Sequence, residues 1–258
     1  MTISHIAPSE RLAGKSAVVF GGGAASGLGV GQAAAIAYAA AGARVAVVDA
    51  SLANAERTVA QIVGAKAIRA DITDEESVRE AIARAAEVFG TIDILHNNVG
   101  VPMPGPFASF SMADWMRGFS LNCVGAASTM REALPHLVRS RGAIVNVSSI
   151  ASIRHTGINY AIYNASKAAL DQLTVAVALE YAASGVRANA ILPGLLDTEM
   201  GRGLASDEDI AERDRRSPTG KQGDVWDVAN AAIFLASEEA RYINAHLLVV
   251  DGGLSRRS

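Results

Sequence analysis

The chain has 258 residues, is 50% hydrophobic and 19% charged, and carries a formal net charge of −3. That composition supports a large buried core and argues against disorder, and the lack of a basic tract with interleaved aromatics argues against a nucleic-acid partner. The single cysteine, Cys123, excludes an internal disulfide and a cysteine-based zinc site, so no metal is expected and a reducing, cytoplasmic setting fits. Met1 to Arg11 show no charged segment followed by an apolar one, and the longest small-apolar run, Ala33 to Ala41, is too short to span a bilayer.

Seven short apolar runs alternate with longer helical stretches. The runs are Ala17–Phe20, Val45–Val48, Ala67–Ala70, Ile92–His96, Ile144–Val147, Ala188–Leu192 and Leu247–Val250. They are nearly continuously apolar, as parallel strands covered on both faces should be. Between them, Gln32–Ala41, Ala53–Val63, Glu75–Phe89, Ala113–Arg139, Tyr163–Ala183 and Val225–Leu235 are expected helices. Thr73 with Glu76, and more weakly Ser111 with Asp114, have capping-box spacing. The pattern predicts an α/β Rossmann fold: a doubly wound parallel sheet of about seven strands in three α/β/α layers. No linker or repeat divides residues 1–258, so one domain is expected.

The first strand runs into Gly21-Gly22-Gly23-Ala24-Ala25-Ser26-Gly27-Leu28-Gly29-Val30-Gly31, which opens the first helix. Glycines there allow a tight turn and close approach to a pyrophosphate, while the helix start offers free N–H groups. No Gly-Lys-Ser/Thr follows, which disfavours a nucleoside-triphosphate loop. Asp49 closes the second strand, 18 residues after Gly31. A carboxylate there suits the adenosine ribose hydroxyls and repels a 2′-phosphate, and Ala50, Ser51 and Leu52 supply no cation, which favours NAD over NADP. Its structural alternative is a strand-end aspartate that caps the next turn.

Tyr163 and Lys167 stand four residues apart, side by side on one helix face. An ammonium beside a phenol favours the phenolate, so the pair can exchange a proton with an alcohol or ketone. Tyr160 has Asn164 at the equivalent spacing and is the weaker candidate.

The order of these motifs, with Gly14-Lys15, Asp71-Ile72, Asn97-Asn98-Val99-Gly100, Leu121-Asn122, Asn146-Val147-Ser148-Ser149, Pro193-Gly194 and Asp251-Gly252-Gly253, resembles the short-chain dehydrogenase/reductase family in its compact single-domain branch. The resemblance runs from Gly14 to Leu254. It implies an NAD-dependent interconversion of secondary alcohol and ketone. Tyr163 is then the acid/base, and Lys167 lowers its pKa and binds the nicotinamide ribose. Ser149 would bond the substrate oxygen, and Asn122 would hold a relay water. The cofactor set it implies adds Gly21, Ser26, Gly27, Leu28, Gly29, Val30 and Gly31, with Asp49. It continues with Asp71 and Ile72 at the adenine, then Asn98, Val99, Gly100, Pro193, Gly194, and Thr198 at the carboxamide. Asn122 as a helix-bending amide, and Asn97 or Asn98 as ties between strands, are the structural alternatives.

The sequence departs from the family pattern in four places. Phe20-Gly21 replaces Thr-Gly, the glycine loop is four residues longer, and Val99 replaces alanine. The Ser149–Tyr163 interval of 14 positions is one longer than usual, which predicts a bulged loop. Substrate loops are expected at 101–110, 151–162 and 195–223, with Arg154 and His155 the better candidates for substrate contact. Arg202, Arg213, Arg215, Arg216 and Lys221 are expected on a solvated helix face of a lid, with an anion site the alternative. The resemblance also implies a homotetramer joined through Ala113–Arg139 with Tyr163–Ala183, and through the last strand. A cofactor-binding sensor or scaffold without turnover is the rival reading; a nucleotide-sugar dehydratase or epimerase would need more chain after Pro193.

Overall fold

The computed structural model describes residues 8–25, 27–198 and 206–257; Ser26 and Arg202, singled out above, lie outside them. Seven strands form one parallel sheet: β1 (Ser16–Phe20), β2 (Arg44–Asp49), β3 (Lys66–Arg69), β4 (Ile94–Asn97), β5 (Ala143–Val147), β6 (Arg187–Pro193) and β7 (Leu247–Val250). Their order is β3-β2-β1-β4-β5-β6-β7. The chain thus winds outward from β1, returns to place β4 beside β1, and winds out the other way. That reversal opens a crevice at the carboxyl ends of β1 and β4.

The helices are α1 (Val30–Ala40), α2 (Leu52–Val59), α3 (Glu75–Phe89), α4 (Met112–Phe119), α5 (Gly125–Ser140), α6 (Ala161–Tyr181), α7 (Asp207–Arg216) and α8 (Val225–Ala236). On one face α1 and α8 share a core with Val19, Val45 and Val47; Ala33, Ala34 and Ala37 of α1 are small enough for the helices to approach closely. On the other, α3, α5 and α6 bury Ile82, Met130 and Leu170 against Val18, Val48 and Ile144. These are the three expected layers.

Several boundaries differ from the sequence reading for local reasons. The third and fourth strands sit one to two residues from their expected ends. Thr73 does not cap α3: Asp74 does, its carboxylate accepting from the Glu76 and Ser77 amides, while Thr73 donates to Asp71. Ser111 and Asp114 do form the reciprocal box that starts α4. The expected helix Ala113–Arg139 is α4 and α5 joined by a wide π-turn, Ser120–Val124. The lid segment contains α7, capped by Ser206 and Asp209, and is closed at its base where Leu196 pairs with Gly223.

A chain of hydrogen bonds crosses the buried layer between α5 and α6. Thr129 Oγ1 donates to Asn97 Oδ1 (2.7 Å), Asn97 Nδ2 to Asn146 Oδ1 (2.9 Å), and Asn146 Nδ2 to Thr174 Oγ1 (2.8 Å). Asn97 and Asn146 are register partners on β4 and β5, so the ladder ties both strands to both helices. Removing one amide strands its neighbours without water. Asn146→Ala is expected to cost about 1–3 kcal/mol of unfolding free energy, read as a lower denaturant midpoint with an unchanged slope.

Candidate active site

The crevice is a cleft of about 640 Å³. Its first wall is the glycine-rich turn. Gly21 has φ +72°, a left-handed conformation that an L side chain resists. A Cβ on Gly31 would overlap the Gly21 carbonyl oxygen and lie 2.6 Å from Asn98 Nδ2, so this position is closed to any side chain. Gly29, by contrast, has open space and caps α1 with no side-chain bond. The leading amides of α1 therefore meet no side-chain acceptor at the cap, as a phosphate cradle requires. Gly27, Leu28 and Val30 line the same wall, as do Gly23, Ala24 and Ala25, which the sequence reading had not included.

Asn98 Nδ2 donates to the Gly21 carbonyl at 3.0 Å, holding the ends of β1 and β4 together, whereas Asn97 serves the buried ladder. Asp49 lines the cleft and also caps: its Oδ2 accepts from Gly23 N (3.1 Å) and its Oδ1 from Ser51 N (3.0 Å). Both expected roles are therefore compatible, since each carboxylate oxygen keeps a second lone pair. A neighbouring cavity of about 270 Å³ is lined by Asp71, Ile72 and Val99 and shares Gly21, Asp49, Asn98 and Gly100 with the cleft. Two cations missed in sequence lie close by. Arg57 Nε donates to Ala24 O at 2.8 Å and its guanidinium also bonds Asn54; Arg69 Nε donates to Ala50 O at 3.4 Å. Arg57 touches the turn from a distant stretch of sequence, and Arg69 bonds the residue after Asp49.

The opposite wall carries Ser149, Tyr163 and Lys167. Helix α6 starts two residues before Tyr163, so the tyrosine sits in the first turn and Lys167 one turn below it. Burial pushes the Tyr163 hydroxyl upward in pKa; hydrogen bonding with Ser149 pulls it down, and Tyr160 beside it pushes it up. Lys167 Nζ lies 5.8 Å from the Tyr163 ring centroid and donates to Val147 O at 2.8 Å. The lysine is almost wholly buried, and burial brings its pKa down to about 8, opposed by the nearby Asp171. A Cβ on Gly100 would come 2.7 Å from Lys167 Nζ, so a side chain here would displace the ammonium.

Asn122 occupies the π-turn and is fully buried. Its Oδ1 accepts from Val101 N (2.7 Å), and its Nδ2 donates to Ser166 Oγ (2.9 Å) and Val101 O (3.2 Å). It clamps the 101 segment to α6, a tie that neither the relay-water role nor the helix-bending alternative had specified. Cys123 is half-buried, and burial pushes its thiol up in pKa, which suits packing more than nucleophilic attack.

Pro193, Gly194 and Thr198 complete the floor beyond β6. Arg154 lines the cleft, while exposed His155 does not, and its Nδ1 accepts from Gly157 N. The lid is only partly the solvated face expected. Arg215 pairs with Glu212 on the exposed side of α7, but Arg213 and Arg216 line the cleft. Among the described residues no cluster of metal-ligating side chains occurs, and no helix is long and apolar enough to cross a membrane.

A family model described as enoyl-(acyl carrier protein) reductase matches residues 23–255. The chain is 40% identical over 252 residues to 2,5-dichloro-2,5-cyclohexadiene-1,4-diol dehydrogenase of Sphingobium indicum, covering 96% of this chain and 98% of that one. It is 39% identical over 251 residues to cis-4-hydroxycyclohexanecarboxylate dehydrogenase of Sinomonas cyclohexanicum, covering 95% and 98%. A solved structure of a Burkholderia xenovorans protein assigned to the short-chain dehydrogenase/reductases superposes with a TM-score of 0.90 at 39% identity, covering 97% of this chain and 100% of that one. Fold, motif order and these likenesses agree over nearly the whole length: the chain belongs to the short-chain dehydrogenase/reductase family and is an oxidoreductase acting on CH–OH groups.

Proposed function

We propose that this protein interconverts a secondary alcohol and its ketone with NAD as the dinucleotide, using Tyr163, Lys167, Ser149 and Asn122. The observation that carries the reading is the facing of two walls across one cleft: the open start of α1 with Asp49, and the Ser149–Tyr163–Lys167 group. A bound nicotinamide dinucleotide supplies the hydride acceptor or donor. Gly21 and Gly27–Gly31 cradle its pyrophosphate, Asp49 accepts from the adenosine ribose, and Asp71, Ile72 and Val99 take the adenine. Asn98, Gly100, Pro193, Gly194 and Thr198 bound the nicotinamide half.

Tyr163 exchanges the proton. Its upward-shifted phenol holds that proton at neutral pH, the form that protonates the oxygen of a ketone being reduced. Lys167, still largely cationic near neutral pH with a pKa of about 8, stabilises the phenolate that results and can bond the nicotinamide ribose. Ser149 donates to the substrate oxygen and offsets charge developing there. Asn122 Oδ1 has a second lone pair for a water that relays the proton outward. Segment 195–223 serves as the substrate loop of a single domain. Both relatives named above act, by name, on ring compounds bearing hydroxyl groups, which supports a cyclic secondary alcohol as substrate class.

The same reading includes a cytoplasmic homotetramer. It is supported by apolar side chains left open along the α4–α6 side, namely Met116 (65% exposed), Val124 (57%) and Leu179 (66%), and by half-buried β7 at the sheet edge.

Three outcomes are expected. Tyr163→Phe lowers kcat by about 100- to 10 000-fold while NADH still binds, measured by turnover and fluorescence titration; turnover near wild type would refute the acid/base assignment. NADH binds more tightly than NADPH, and Asp49→Ala narrows the gap by about tenfold; a wild-type preference for NADPH would instead point to Arg57 and Arg69 as a phosphate site. Sedimentation gives four chain masses, and Val124→Glu with Leu179→Glu reduces it; a monomeric wild type contradicts the assembly.

A further inference from the structure

Three arginines, Arg154, Arg213 and Arg216, line the same cleft as Ser149 and Tyr163. Arg213 and Arg216 lie three residues apart on α7 and so share a face, and Arg154 reaches the same cavity from the loop after Ser149. Among the described lining residues the only carboxylate is Asp49, at the far end beside the glycine turn, whereas Arg154, Lys167, Arg213 and Arg216 are all cationic. No ion pair among the described residues joins any of the three arginines to an acid.

Their present partners are backbone carbonyls. Arg154 Nη1 donates to Leu254 O at 2.5 Å, Arg213 Nη2 to Leu196 O at 3.1 Å, and Arg216 Nη2 to Thr156 O. Each guanidinium has five N–H donors, so these bonds leave several unspent. Arg213 Nε is buried with no partner. A buried, unpaired charged donor is unfavourable unless something else fills the space. Concentrating positive charge on one side of a largely apolar cavity suits a planar anion, which a guanidinium can bind through two parallel hydrogen bonds.

We infer that the substrate is a secondary alcohol or keto compound carrying a carboxylate, which Arg154, Arg213 and Arg216 bind while Tyr163 and Ser149 engage the reacting oxygen. This rests on the proposed reaction and narrows it. A neutral alcohol of the same shape would leave the guanidiniums facing an apolar cavity. The carboxylate would also bridge the loop after Ser149 to α7, so substrate charge and lid position become linked.

The test uses the full chain with saturating NADH or NADPH, whichever it binds. An alcohol with reduced cofactor forms a dead-end complex, so calorimetry reads binding without turnover. The probes are 3-hydroxybutyrate, 4-hydroxypentanoate and 3-hydroxycyclohexanecarboxylate, each against its primary amide. At least one acid is expected to bind about 10- to 100-fold more tightly than its amide, the scale of a charge-assisted hydrogen bond. Arg213→Met, Arg216→Met and Arg154→Met should each shrink that ratio, and Arg216→Lys should retain part of it. Equal binding of every acid and amide overturns the inference. So does a loss in the variants that falls equally on both, which would make the arginines props of the lid. A matching loss of NADH affinity overturns it too, by placing them on the dinucleotide. Acids that bind preferentially but are oxidised with neither cofactor support the subsite and count against the proposed reaction.

Discussion

The hydrogen-bonded ladder through Thr129, Asn97, Asn146 and Thr174 is the constraint on which the rest of the molecule hangs. Two asparagines inside a hydrophobic layer are tolerable only if their amides are satisfied, and satisfaction requires one register of β4 against β5 and one placement of α5 and α6. Apolar side chains alone would let α6 slide by a fraction of a turn. Thr174 prevents that, since its hydroxyl also donates to Leu170 O in its own helix. Lys167 lies two turns before Thr174, so the ladder indirectly fixes where the ammonium emerges beneath Val147.

The electrostatics follow from this placement. A lysine held almost without solvent needs compensation, and finds it in the Val147 carbonyl and in Asp171, one turn further along α6. Asp171 is itself buried, and burial raises its pKa, with Ser148, Ser152 and Lys167 pulling it back down. The pair is thus a balance of desolvation against mutual attraction, and it leaves the ammonium responsive to added charge in the cleft. Tyr163 sits above it, on the side open to ligand.

Much of this was legible in the sequence because the relevant signals are local. Unbroken apolar runs announce covered parallel strands, the glycine cluster announces a tight turn from strand into helix, and the Tyr163–Lys167 interval is one helical turn. What escaped is what only packing decides. Ser120–Val124 contains no proline or glycine, so nothing marks the π-turn that carries Asn122. Thr73 and Asp74 are both good caps, and the turn geometry chooses the second. Helix α7 carries only Ile210 and Ala211 as apolar residues, too few to distinguish inward Arg213 and Arg216 from outward Arg215. Which glycines are obligatory was equally hidden: Gly31 is excluded from bearing a side chain by Gly21, whose carbonyl lies ten positions away, whereas Gly29 is unconstrained by contact.

The double engagement of Asp49 bears on what any substitution at this position would disturb. Because the carboxylate bonds the Gly23 and Ser51 amides, it is held in one rotamer by the protein itself. Replacing it with a cation would orphan two backbone donors at the mouth of the turn. Position 23 could not be enlarged to help, since a Cβ there would also fall 2.7 Å from Asn54 Cβ, which stays in place when Asp49 is replaced. Any replacement at position 49 must therefore bring new acceptors for the Gly23 and Ser51 amides while position 23 stays glycine.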